Sequence, residues 1–404
     1  MGAARPQGQP RVTTSGDPMV KTPLVVVPDP DDPAYRLVTF AHRDDGCDGV
    51  LALLHTVTDK DRHAGDLTPH LMERGTDGAW SITYRLRADH RASYQLYPFR
   101  GEAPGTTRPD WLRVLDHALP DPYDTEPRLP ARGGRHPSSV LSLPAAPAQP
   151  YVRRRDGVPR GRTLPRTVAG RRVDVHLPAG HRADGGPYPV AVLLDGEMWG
   201  EVLSVGDTLD NLTADGAIPP TVALLVHTMG PQRPDDLSCN PAFVDLLADR
   251  LLPWACAEFG ANDDPAATVI AGQSAGGLTA AYAAYRRPER FGNALSQSGS
   301  FWWPDETEFD AGSEWLTRRF AAEERRAARF WIEVGLQEWM LLTQNRHLRD
   351  VLTARGYDLA YREFNGGHDY ACWRGGLADG LAHLLGSPGG VVSTDSHTTE
   401  PPGT

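Results

Sequence analysis

Cysteine is scarce in this 404-residue chain and never clustered: Cys47, Cys239, Cys256 and Cys372 lie far apart, with no CxxC spacing. That scatter argues against a disulfide framework or a cysteine zinc site and predicts free thiols in a reducing compartment. No stretch approaches the ~18 consecutive apolar residues of a membrane span. Residues 1–18 carry arginines but lack the apolar centre of a signal peptide. Together these absences predict a cytoplasmic protein with no membrane contact. A long basic stripe is missing too: 41 Lys and Arg stand against 52 Asp and Glu, a formal charge of −11, so no nucleic-acid partner is expected. The cluster Arg153, Arg154, Arg155, Arg160 and Arg162 is the local exception. No His/Asp/Cys group shows ligand spacing, so neither a metal nor another cofactor is expected.

What the chain does contain is enough apolar material, 40%, for a sizeable core, and a length suited to two domains. Gly 41 and Pro 36 make up roughly a fifth of the residues against a usual ~12%. This predicts many turns and unstructured tails, placed at 1–20 and 387–404. Residues 35–40 and 79–86 alternate with period two, 50–54 and 93–99 add further short strands, and Asp44-Asp45-Gly46 supplies a turn. The expected unit over 21–118 is a small, Ig-like β-sandwich. A proline-rich connector, 119–150, follows and is read as an extended linker. From 151 to 386 the pattern changes: near-continuous apolar strands at 172–177, 189–194, 221–226, 267–270, 330–334 and 359–364 are separated by helical stretches, notably 241–259 and 277–285. Strands of this kind belong to a mostly parallel sheet covered on both faces, so the fold class is α/β with an all-β domain in front.

Gly272-Gln273-Ser274-Ala275-Gly276 fits G-x-S-x-G, directly after one such strand and directly before an alanine-rich helix. Strand, sharp turn and helix form the setting in which a serine Oγ is exposed on a strained corner above a helix N-terminus. A hydroxyl is a weak nucleophile near neutrality and needs a base. His368, after Gly366 and Gly367, is the first of the 14 histidines to follow the last strand and lies on the loop directly after it, as the chain order Ser, acid, His requires. On the loop after strand 330–334, Glu338 is the best placed acid; Glu333 lies within the strand and Asp369 is adjacent to the histidine. The amide of Ala275 is one expected oxyanion donor, and the second is expected from the backbone of Glu197 or Met198.

Several strings carry a family resemblance: Leu193-Leu194-Asp195-Gly196-Glu197-Met198-Trp199, Cys239-Asn240-Pro241-Ala242-Phe243, Ala271-Gly272-Gln273-Ser274-Ala275-Gly276-Gly277, and Gly366-Gly367-His368-Asp369 running into Cys372-Trp373-Arg374-Gly375-Gly376-Leu377. The chain resembles the enterochelin esterases, α/β-hydrolases that cleave ferric catecholate siderophores built on a trilactone of serine, over about residues 25–385. The resemblance implies a triad of Ser274, Glu338 and His368, an acyl-enzyme, and release of intracellular iron. Iron then arrives with the substrate. A ferric tris-catecholate is a trianion, so a local basic patch is expected, with Arg153 and Arg154 or the arginines at 132–135 as candidates. Trp199, Trp302 and Trp373, with Trp303 beside them, are candidates to stack on catechol rings. No obligatory protein partner is evident. Two alternatives use the same residues: a feruloyl- or acetyl-type carboxylesterase, and a catalytically silent module that binds a ligand on a hydrolase-like fold.

Overall fold

The computed structural model describes residues 24–44, 46–124, 126–304 and 313–386; the tails expected at 1–20 and 387–404, and Asp45 of the first turn, lie outside the described residues. The N-terminal part contains β1 (Leu24–Pro28), β2 (Tyr35–His42), β3 (Gly49–Leu54), α1 (Val57–His63), β4 (Glu73–Arg74), β5 (Trp80–Arg87), β6 (Arg91–Phe99), α2 (Arg108–His117) and β7 (Ser139–Ser142). They form two antiparallel sheets, ordered β1-β2-β5-β4 and β3-β6-β7. The period-two alternation explains the pairing. Val38, Phe40, Tyr84 and Leu86 of one sheet meet Val50, Leu54, Tyr94, Leu96 and Leu141 of the other in a common core.

Residues 119–150, read as an extended linker, do more than connect. Within them β7 pairs with β6 from Arg91↔Ser142 to Tyr94↔Ser139, and Leu141 is buried in the sandwich core. The run Ser139–Ser142 is short, but its apolar pair completes a sheet that would otherwise have two strands.

The second part contains β8 (Arg162–Val168), β9 (Arg171–Leu177), β10 (Val190–Leu193), α3 (Val205–Ala214), β11 (Val222–Val226), α4 (Arg233–Asp236), α5 (Pro241–Leu246), α6 (Leu252–Phe259), β12 (Thr268–Gln273), α7 (Ala275–Arg286), β13 (Asn293–Gln297), α8 (Trp315–Ala322), β14 (Arg329–Gly335), α9 (Leu342–Ala354), β15 (Asp358–Phe364) and α10 (Tyr370–Leu385). Eight strands run in the order β15-β14-β13-β12-β10-β11-β9-β8. The six from β15 to β11 are parallel, and β9 and β8 add an antiparallel edge. Helices cover both faces, which is why β10 to β13 are buried along their whole length. The single helix expected over 241–259 is α5 and α6 joined by a wider turn at Leu247–Leu251. Pro253 lacks an N–H to continue a regular ladder, and the widened turn precedes it.

Strand order reverses between β10 and β12, because β10 is followed by β11 on one side and β12 by β13 on the other. A crevice outside the carboxyl ends of the strands opens at such a reversal. The loops carrying Ser274 and Glu197 leave the sheet on its two sides.

Candidate active site

Ser274 sits at φ 57°, ψ −122° between β12 and α7. A non-glycine residue held there is strained, and the strain persists only where surroundings fix it. Two backbone bonds do so: Ser274 N–H donates to Gln297 C=O at 3.0 Å, and Ser274 C=O accepts from Ser300 N–H at 3.0 Å. Gly272 permits the tight corner, since a Cβ there would lie 2.3 Å from the Gly276 carbonyl oxygen. The serine is partly exposed, at the N-terminus of a 12-residue helix whose dipole favours negative charge. Ala275 is the first residue of that helix, so its N–H has no intrahelical acceptor.

The acid and base come from the next loops along the sheet. Glu338, after β14, is 2% exposed, and its Oε2 lies 2.7 Å from His368 Nδ1 after β15. Its other oxygen accepts from Ser298 Oγ at 2.5 Å and from Gly335 N–H at 2.8 Å. Both carboxylate oxygens are therefore aimed, and the imidazole is left with Nε2 as its open nitrogen. Trp373 lies beneath: its ring meets His368 edge-on with centroids 4.7 Å apart, and its Nε1 donates to Ser298 Oγ at 3.0 Å. Ser274 Oγ pairs with Ser300 Oγ at 3.3 Å, and among the described residues no hydrogen bond joins it to His368. Catalytic bonds of this type are commonly long without substrate.

Under the corner runs a buried polar chain. Trp199 Nε1 donates to Gln273 Oε1 at 3.1 Å, Gln273 Nε2 to Gln297 Oε1 at 2.8 Å, and Gln297 Nε2 to Glu333 Oε1 at 2.6 Å. Desolvation pushes the Glu333 carboxyl up to about 7, against the nearby Arg362 charge and the Gln297 bond.

Of the two proposed second oxyanion donors, Met198 is already engaged, donating its N–H to Asp195 C=O at 2.9 Å. The Glu197 amide remains. Its side chain anchors the loop by accepting from Thr228 N–H at 3.1 Å and Met229 N–H at 2.8 Å, and Asp195 is held by both Thr228 and Arg233.

The substrate-contact expectations fare differently. Trp199 is 1% exposed with its Nε1 committed to Gln273, and Trp373 is 3% exposed with its Nε1 committed to Ser298, so neither presents a face to a ligand. Trp303 packs its ring against Trp315. Trp302, half-buried on the turn that begins at Ser300, retains an accessible part. Arg154 and its neighbour Arg155 are engaged in ion pairs: Arg154 pairs with Asp207 and Asp210, and Arg155 with Asp215, all on or just past α3. That helix leaves the carboxyl edge after β10 and carries its far end back toward the opposite edge. Arg153 pairs with Glu126 on the surface at 2.8 Å. Arg132 is a cation beside the Glu197 loop, its guanidinium 3.9 Å from Glu197 Oε1 and 3.4 Å from Met229 Sδ.

Sequence spacing pointed to no ligand set, yet folding brings Asp174, Glu201 and His227 within 4.8 Å of one another. These residues come from three segments, which is why spacing missed them. Arg172 lies 3.5 Å from Asp174 and 3.2 Å from Glu201 and supplies the positive charge there. Ser298 and Ser300 were also missed. They follow β13, whose short run Asn293–Gln297 is interrupted by polar residues; the signal was the string Ser296-Gln297-Ser298-Gly299-Ser300 that begins at its end.

Residues 166–384 match the putative esterase family and residues 37–152 match the family described as enterochelin esterase, N-terminal. The chain belongs to the enterochelin esterase family and is a carboxylic ester hydrolase. It is 35% identical to the iron(III) enterobactin esterase of Escherichia coli K12 over 80% of this chain and 83% of that protein. Identity to the iron(III) enterobactin esterase of Dickeya dadantii is 32%, over 90% of each. The ferric enterobactin esterase structure from Salmonella typhimurium superposes with a TM-score of 0.78 at 32% identity, covering 90% of this chain and 97% of that one. No helix among the described residues is long and apolar enough to cross a membrane.

Proposed function

We propose that this enzyme hydrolyses the trilactone ester bonds of a ferric catecholate siderophore, with Ser274 as nucleophile, His368 as general base and Glu338 orienting the imidazole. Ser274 Oγ attacks the ester carbonyl while His368 Nε2 takes its proton; the oxyanion forms against the amides of Ala275 and Glu197. Collapse expels the seryl hydroxyl of the lactone, protonated by His368, and leaves an acyl-enzyme. Water, deprotonated by the same nitrogen, then releases the acid and restores Ser274. Opening the ring separates the catecholates, and the lost chelate multiplicity weakens their grip on iron.

The observation that carries the proposal is the doubly anchored Glu338 with His368 Nδ1 at 2.7 Å, together with a serine on a strained corner at the same sheet edge. Arg132 favours an anionic substrate, since it places a half-exposed guanidinium beside the Glu197 loop in a chain of net charge −11. The proposed division of labour gives residues 151–386 the chemistry, with the sandwich at 21–118 and the connector at 119–150 closing one side of the crevice. The test is substrate preference. Ferric enterobactin is expected to be turned over with a far higher kcat/KM than feruloyl or p-nitrophenyl esters; preference for the simple esters would replace the siderophore assignment with a general carboxylesterase.

A further inference from the structure

The loop that bears His368 is held by the N-terminal sandwich. Between β3 and α1 lies a turn formed by His55 and Thr56. Thr56 Oγ1 accepts the His368 N–H at 2.9 Å, and His55 Nε2 lies 2.8 Å from the His368 carbonyl oxygen, to which it donates. Both backbone polar groups of the proposed base are thus taken by two adjacent residues more than 300 positions away in sequence.

The turn is built for this contact. Thr56 has φ 69°, a costly conformation for a β-branched residue. It is kept there by its own N–H donating to Asp59 Oδ2 at 3.0 Å, by its C=O accepting from Lys60 N–H at 3.0 Å, and by the His55 N–H bond to Ser93 C=O at 3.0 Å. The opposing surface is shaped to receive it: a Cβ on Gly367 would lie 2.0 Å from Thr56 Oγ1, so only glycine lets the two backbones approach. Residues flanking His368 are stitched to the same sandwich. Asp369 Oδ2 accepts the Ser93 N–H, Asn365 C=O accepts the Arg91 N–H at 3.0 Å, and Asn365 Nδ2 donates to Asp89 Oδ1 at 2.7 Å.

Within the hydrolase part, Glu338 and Trp373 act on the ring, and the backbone is tied on either side, Gly366 C=O to Gln337 N–H and Asp369 C=O to Trp373 N–H, each at 3.0 Å; among the described residues the N–H and C=O of His368 itself bond only to the sandwich. From these contacts we infer that His55 and Thr56 are positioning residues for the reaction: the sandwich sets the height and tilt of the catalytic imidazole by clamping the peptide groups on either side of its Cα. This rests on the assignment of His368 as general base. It gives the N-terminal unit a role in turnover of every ester, including those too small to reach its surface.

The experiment uses full-length protein and a small neutral ester, p-nitrophenyl butyrate, which removes any contribution from siderophore recognition. Thr56→Val keeps the shape and deletes the acceptor; Thr56→Ser restores it. His55→Leu deletes the donor, while His55→Gln offers an amide N–H at a similar reach. A misplacement approaching 1 Å costs on the order of 10²-fold in rate, so Thr56→Val and His55→Leu are expected to lose about 10- to 100-fold in kcat with KM within about twofold. Thr56→Ser and His55→Gln are expected to recover most of it. His55 is half-exposed, so its pair remains informative if Thr56→Val fails to fold. Unchanged kcat in the deletion variants, equal losses in the conservative ones, or losses confined to KM would overturn the inference. Ser274→Ala and His368→Ala run alongside: if they retain turnover, the triad reading itself fails, which is distinguishable from failure of the clamp alone.

Discussion

Replacing Glu333 by glutamine tests whether the polar chain beneath the nucleophile is as dry as its geometry indicates. Glu333 is 1% exposed, and desolvation raises its carboxyl from 4.5 to about 7 despite the Arg362 charge. An unfolded chain releases that proton near pH 4.5, whereas the folded one keeps it until about pH 7. Across this window the unfolded state binds fewer protons, so stability contributed by the group is complete below about 4.5 and is lost as pH rises through about 7. At about 1.4 kcal/mol per pH unit the loss amounts to ~3 kcal/mol. Glutamine has the same shape, still accepts from Gln297 Nε2, and does not titrate. Urea unfolding followed by tryptophan fluorescence at several pH values at fixed ionic strength gives the comparison. The stability difference, Glu333→Gln minus wild type, is expected to grow by ~3 kcal/mol between pH 4.5 and 7, with unchanged m-values. A pH-independent difference would show that Glu333 ionises normally. A difference of opposite slope would show that it is an anion paired with Arg362. Either result refutes the reasoning.

Two further outcomes follow from the same region. Arg132→Gln removes the cation beside the Glu197 loop and is expected to raise KM for ferric enterobactin about fivefold, the effect of ~1 kcal/mol at a partly exposed site, while leaving p-nitrophenyl butyrate kinetics unchanged; steady-state kinetics with both substrates check it. Gly376→Ala would put a Cβ 1.9 Å from Glu333 Oε1, and is expected to cost ~1–3 kcal/mol in a urea titration, because the carboxyl must shift away from Gln297 Nε2 to make room.

The elements that local pattern specifies were legible. The G-x-S-x-G corner is contiguous, so strand, serine and helix could be read together, and His368 and Glu338 followed from strand order in a parallel sheet. What escaped is set by direction and by distance in the chain. Trp199 and Trp373 have the right rings for catechols, but composition does not say that Gln273 and Ser298 claim their indole N–H groups. Arg154 carries the right charge, yet Asp207 and Asp210 on α3 already engage it. Proline density made 119–150 read as a linker, and the four residues of β7 were too few to overturn that reading. His55 and Thr56 gave no signal, since nothing in an N-terminal turn announces a partner 312 residues away.

Covalent capture of the nucleophile addresses the central claim most directly. Wild-type protein treated with a fluorophosphonate is expected to be labelled at Ser274, as read by peptide mass spectrometry. Loss of the base costs on the order of 10⁴-fold, so His368→Ala is expected to remain unlabelled over the same interval. Labelling at another serine, or equal labelling of the His368→Ala protein, would contradict the account.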